Sequence, residues 1–257
     1  MMVQFNAFLK KEGVEAFRTG KLLIVTLIAI IFGIMNPLIT KLTPQLMKLV
    51  SDDFDNMGVT LSDIKVDALM SWAQFFKNAP MLILVFVIMF SGILTQELQK
   101  GSLLIILTKG LKRRNVILAK FSILAIIWTI VYWLCFAITY LYNAYYWDNS
   151  IVHNLMFSVF LIYMFGLWII SLIILTSVFT SSNYGSLMLI FIIFVASYLL
   201  GMISKLKIYV PTYLLSASEL IKTNSGTSDY RNLLLIICVL LIFNLVISIL
   251  VFDKKRI

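Results

Sequence analysis

Charge is what this sequence has least of. Only 13% of its 257 residues are Asp, Glu, Lys or Arg, against about 25% in soluble domains. That scarcity excludes a water-soluble globule and a disordered chain, and no collagen-like repeat is present. Histidine occurs once, as His153 in a short polar stretch, where it reads as solvated. The two cysteines, Cys135 and Cys238, both lie in apolar runs. They give neither a disulfide framework nor a metal-ligand spacing and read as small core hydrophobes. No Asn-x-Ser/Thr sequon occurs, and residues 1–21 lack an apolar h-region, so no cleaved secretory signal is expected. The catalytic signatures HExxH, GxSxG and GxGxxG are missing. The nearest approach to a phosphate-binding loop, Gly13-x6-Gly20-Lys21, has the wrong glycine spacing and Leu22 where Ser or Thr is needed. An intramembrane hydrolase would need a nucleophile, an acid–base pair or a metal cluster at depth, and none assembles. The chain is therefore not expected to be an enzyme.

What it has instead is apolar length. Hydrophobic residues make up 61% of the chain and mean hydropathy is +0.99. About 20 apolar residues at 1.5 Å rise cross a ~30 Å hydrocarbon core. Six stretches qualify, at roughly 22–40, 79–95, 121–142, 155–178, 184–204 and 232–252. The second is the shortest, but Asn78 can cap it, Pro80 suits a first helical turn, and Gln96-Glu97 ends it. Thr180-Ser181-Ser182-Asn183 has a turn composition and predicts a tight hairpin between the fourth and fifth spans. The expected fold is an all-α integral membrane protein, one permease domain over 1–257. No Asp, Glu, Lys, Arg or His falls inside the six stretches, so a proton- or ion-coupled carrier, which uses such groups at depth, is disfavoured.

The formal net charge is +9, and its placement is uneven. Residues 1–21, 96–120, 180–183 and the tail after the sixth span hold 13 of the 21 basic and 4 of the 12 acidic residues. The opposite set of loops holds 8 of each. By the positive-inside rule both termini and the 96–120 loop are cytoplasmic. The charge thus reports topology, and nucleic acid is not an expected partner.

Three segments outside the spans carry pattern. Residues 3–19 read as an interfacial helix, with Phe5, Phe8, Leu9, Ala16 and Phe17 on one face and Lys10, Lys11 and Glu12 opposite. In loop 41–78, Leu61, Ile64, Ala68, Leu69, Trp72, Phe75 and Phe76 recur at helical spacing behind a Thr60/Asp63 capping box. They predict an amphipathic helix on the outer leaflet, read as an anchor. In loop 205–232 the apolar part around Pro211–Ile221 can dip into the outer leaflet, which its backbone tolerates only if spans cover it.

The segment 96–120 is the most distinctive. Glu97 closes the second span, Gly101-Ser102 breaks the helix, a short apolar helix follows at about 103–112, and Lys109-Gly110 leads to Arg113 and Arg114. Leu103, Leu104 and Leu107 form a ridge that fits a groove on another protein. Arg113 and Arg114 fit lipid phosphates equally well.

This run resembles the first cytoplasmic loop of type 2 ABC transporter permeases. Glu97, Gly101-Ser102-Leu103, Leu107-Thr108-Lys109-Gly110, Arg113-Arg114 and Lys120 fill the family's pattern. Gly110 stands where proline is common. Phe17 to Lys21 with Pro37, and the basic ending Phe252 to Ile257, resemble the family's approach to the first span and its abrupt finish after the sixth. The resemblance covers essentially the whole chain. It implies a bacterial plasma-membrane exporter subunit without its own ATPase, paired with a second identical or related permease and with two cytoplasmic ABC ATPase subunits. ATP and Mg would be bound by those partners. The helix at 103–112 would be the coupling helix, with Glu97, Gly101, Leu103, Leu104, Leu107, Lys109, Arg113 and Arg114 as ATPase-coupling residues.

More loosely the chain resembles small six-span permeases of Gram-positive bacteria that export peptides and toxins, which implies a hydrophobic or amphipathic substrate. Trp128, Tyr132 and Trp133 share one face of the third span and are the candidate substrate path. The aromatics at 140–147 read as an interfacial belt. A secondary carrier or channel, and a non-transport immunity or scaffold subunit, stand as the alternatives.

Overall fold

The computed structural model describes residues 2–55, 66–108, 110–222 and 227–255. Among them the chain forms helices and turns with no strand. The helices are α1 (Met2–Arg18), α2 (Lys21–Asp55), α3 (Ala68–Phe90), α4 (Thr95–Gln99), α5 (Ser102–Thr108), α6 (Arg113–Tyr146), α7 (Leu155–Phe179), α8 (Asn183–Gly201) and α9 (Thr227–Lys254). Six helical segments are long and apolar enough to cross a membrane: Lys21–Gln45, Ala68–Gln99, Arg113–Tyr146, Leu155–Phe179, Asn183–Gly201 and Thr227–Lys254. They coincide with the six stretches expected from hydropathy.

Lateral order follows from close approach. α7 is the most enclosed of the long helices, with most of its residues buried. α6 packs against it through Gly166, where an added Cβ would lie 2.3 Å from the Trp128 ring. The Trp128 indole N–H donates to the Tyr163 carbonyl at 3.2 Å. α2 crosses α6 at Gly33, where a Cβ would stand 2.9 Å from Ile138 Cβ. Pro37 lies inside α2 and has no N–H for the carbonyl four residues back. Thr139 of α6 fills that role, its hydroxyl lying 3.1 Å from the Gly33 carbonyl oxygen. Above it runs a polar ladder that joins three helices: Asn78 donates to Asn36 at 2.7 Å, and Asn36 to Thr139 at 3.0 Å. Such interhelical bonds hold spans together where apolar surface alone does not discriminate lipid from protein.

Two expectations change here. The run Ala68 to Phe76 is not a separate outer-leaflet helix. It is the first part of α3, capped by Asp67, whose side chain accepts from the Met70 N–H at 2.9 Å. Trp72 and Phe75 are buried in the bundle, and the Trp72 indole donates to Asn149 at 3.0 Å. A helical apolar face looks the same in sequence whether it meets headgroups or another helix. Asn78 consequently sits inside α3 rather than capping it. Thr60, Leu61, Asp63 and Ile64 lie outside the described residues.

The Pro211–Glu219 segment is a 3₁₀ helix. Pro211, Thr212, Leu214 and Ala217 are buried under the spans, as an irregular backbone at such a position requires. Thr212 donates to the Ser197 carbonyl at 3.2 Å and Tyr230 to the Ser216 carbonyl at 3.2 Å. His153 is exposed. Tyr140, Tyr142, Tyr145 and Tyr146 are exposed at the far end of α6, where an aromatic belt would stand.

Candidate functional site: the 95–120 segment and its ion-pair cluster

The helix of α3 breaks at Ser91-Gly92-Ile93-Leu94 before α4 begins. Gly92 is required by packing, since a Cβ would lie 2.7 Å from the Asn183 side chain. The Ser91 carbonyl accepts from Ser177 at 3.0 Å, and that of Ile93 accepts from the Lys120 ammonium at 3.0 Å. α4, a left-handed Gly101 (φ 68°), α5, a left-handed Gly110 (φ 92°) and then α6 complete the segment. Both glycines occupy the region that side chains with a Cβ avoid. α5 ends at Thr108, earlier than the expected 112, because Gly110 turns the chain first. Lys109 lies outside the described residues.

α5 presents a different ridge from the one its leucines suggested. Leu103 is fully buried and pins the helix to the core, and Leu107 is half-buried against it. Leu104 (42% exposed) and Ile105 (59%) form the outward face. Arg114, in the first turn of α6, is exposed and has no ion pair among the described residues. Arg113 is not available in the same way. Its Nη1 lies 2.8, 3.0 and 2.6 Å from the carbonyl oxygens of Phe252, Asp253 and Lys255.

Glu97 belongs to a buried cluster that sequence reasoning missed. Lys120, 1% exposed, contacts Glu12 at 2.9 Å and Glu97 at 2.7 Å. Lys11 bonds Glu97, pairs with Glu15 at 2.7 Å and reaches Glu12 at 3.1 Å. Burial would lower the Lys11 pKa, but its bonds to Glu15 and Glu97 and the field of Glu12 outweigh it and hold it above the usual lysine value. One expectation fails here. Glu12 is on the buried face of α1, in line with Phe8, while Phe17 is 71% exposed. The cluster stands at the bundle end, and its members Glu12, Glu97 and Lys120 all lie outside the six stretches taken as spans. The signal was the i, i+4 spacing of Phe8 and Glu12, hidden inside the charge run Lys10-Lys11-Glu12.

The candidate path residues are brought together, but not around an opening. Trp128 and Tyr132 are buried, with ring centroids 5.1 Å apart, and the Tyr132 hydroxyl donates to the Val159 carbonyl at 2.7 Å. Trp133 is half-buried. They pack α6 onto α7. The open apolar space lies elsewhere, between α3, α7 and α8. It is a groove of about 420 Å³ walled by Val87, Ile88, Phe165, Ile190, Phe191 and Phe194. No charged residue lines it.

No curated protein matches the sequence. The family described as ABC-2 family transporter protein matches residues 7–257. That span takes in all six long helices, α5 with its flanking glycines and the ion-pair cluster, and the chain belongs to the ABC-2 transporter family, as one of its membrane proteins.

Proposed function

We propose that this multi-pass membrane protein is the transmembrane subunit of an ATP-driven exporter in a bacterial plasma membrane. It works with a second permease, identical or related, and with two separate cytoplasmic ATPase subunits that bind ATP and Mg. The observation that carries the coupling role is α5. It is a seven-residue helix held to the bundle by buried Leu103, with Leu104 and Ile105 exposed on its outer side. That is the form of a helix made to enter a groove on a partner. The basic excess at this end supports a cytoplasmic position for it. ATP binding favours one arrangement of the ATPase pair, and a docked α5 transfers that bias to the spans. The α3–α7–α8 groove, apolar throughout, suits a hydrophobic or amphipathic substrate.

The test is association with an ABC ATPase encoded beside this chain. Ile105→Asp places a charge on the docking face, and we expect it to weaken co-purification by roughly ten-fold or more, as loss of a buried anchor does. The spans should remain folded, as judged by an unchanged gel-filtration profile. If no ATPase co-purifies with the unaltered chain, or gradient-driven flux proceeds in liposomes without ATP, the reading is wrong.

A further inference from the structure

The last four carbonyls of a helix have no partner within it. In this protein two helix ends at the α5 end of the bundle are capped by cations from distant parts of the chain. Arg113 is the first residue of α6, directly after the Gly110 turn. Its guanidinium takes three carbonyls around the end of α9, and it lies 5.9 Å over the buried Phe252 ring. Lys255, just past α9, continues the chain of contacts. Its ammonium donates to the carbonyl of Val178 at 2.8 Å and lies 3.3 Å from that of Thr180. Those two carbonyls close α7 and open the turn into α8.

The other side of α5 reaches the same turn. Gln99, at the end of α4, donates to the Ser181 carbonyl at 2.7 Å, and Thr95 bonds Asn183. The segment carrying α5 is therefore tied to the α7–α8 turn at both of its ends. The first tie is direct, through α4. The second runs through Arg113, the end of α9 and Lys255. α7 and α8 in turn supply Phe165, Ile190 and Phe194 of the apolar groove. A rigid displacement of α5 cannot occur without either moving this hairpin or breaking these bonds.

The geometry points to Arg113 and Lys255 as positioning residues: with the C-terminal turn of α9 as the link between them, they carry movement of α5 to the α7–α8 hairpin and so to the groove. This rests on the coupling role proposed for α5. It assigns Arg113 an internal function in place of contact with the ATPase, and it assigns the residues after the sixth span a mechanical one. All three carbonyl contacts fall on Nη1, and Arg suits the first position because its planar guanidinium also lies over the Phe252 ring, which a lysine point charge does not reproduce.

The experiment uses the full chain with its ATPase in lipid nanodiscs. An environment-sensitive fluorophore is attached at the groove through Phe191→Cys, in a background lacking Cys135 and Cys238. ATP with vanadate should shift its emission. In Lys255→Met the ATPase should still co-purify, while a large part of the shift is lost and the rest persists through the Gln99 and Thr95 ties. Lys255→Arg should restore the shift, and Arg113→Lys should reduce it. These two conservative variants keep the test valid if a methionine variant misfolds. A full shift in both Lys255→Met and Arg113→Lys, with ATPase bound, overturns the proposal, as does a bound ATPase that produces no shift in the unaltered groove. Failure of the ATPase to bind the unaltered chain is a separate outcome, and it removes the coupling role and this inference together.

Discussion

Lys120 sits in the second turn of α6 with its ammonium against Glu12, Glu97 and the Ile93 carbonyl, and this geometry fixes what a substitution there does. A buried ion pair contributes little net stability, because desolvation of both charges offsets their attraction. Removing one partner is different. Lys120→Met leaves Glu12 and Glu97, both buried, facing a single partly exposed Lys11. We expect a loss of about 3–5 kcal/mol, seen as a lower unfolding temperature in detergent. The triple variant Lys120→Met, Glu12→Gln, Glu97→Gln should recover a large part of it, since no uncompensated charge remains. Equal destabilisation of the single and triple variants would show that packing of the long lysine stem, not charge, is what matters. Glu97 was legible in the sequence because it interrupts an apolar run. Its partner Glu12 was not, because a glutamate next to two lysines looks solvated until the Phe8 face of its helix is known to be covered.

Helix pairs in this protein are built on small residues and filled carbonyls. Gly33 lets α6 reach α2, and Thr139 occupies the acceptor that Pro37 vacates. Gly166 lets the Trp128 ring lie on α7. The second contact gives a sharp expectation. An alanine methyl at 166 would lie 2.3 Å from the indole, and a ring held at 1% exposure has nowhere to withdraw. Gly166→Ala should cost about 1–3 kcal/mol or more as an overpacked site. Combining it with Trp128→Leu, which vacates the space, should restore part of the unfolding temperature. Retained stability in Gly166→Ala alone would mean that α6 and α7 are less closely fitted than described. The same elements explain why periodicity alone does not assign these residues to a path. Trp128 and Tyr132 do share a face, as their spacing says, but a shared aromatic face serves a helix contact as well as a cavity wall. Only the glycine opposite, which no alignment of periods reveals, decides between the two.

Across the whole molecule, the six spans were legible because a bilayer measures apolar length, and length is written along the chain. Lateral order was not. α9 has the most apolar window, with mean hydropathy 3.3, yet only 17% of it is buried, while the α7 window reaches 2.5 and is 72% buried. Lipid is as apolar as a protein core, so hydropathy cannot rank helices by depth in the bundle. What singles out α7 is its polar and small residues that bond or admit neighbours, among them Gly166, Ser171 and Ser177. Orientation is likewise a matter of charge rather than of packing. The same bundle could face either way, and the basic excess of the 1–21 and 96–120 segments is expected to choose. Asp148 and Lys100 lie at opposite ends of the α6 region and both are exposed, so they report the choice. In a background lacking Cys135 and Cys238, Asp148→Cys should react with a membrane-impermeant maleimide added to intact cells. Lys100→Cys should react only after the membrane is opened. The reverse pattern would put α5 on the side without ATP, and no cytoplasmic ATPase could then engage Leu104 and Ile105.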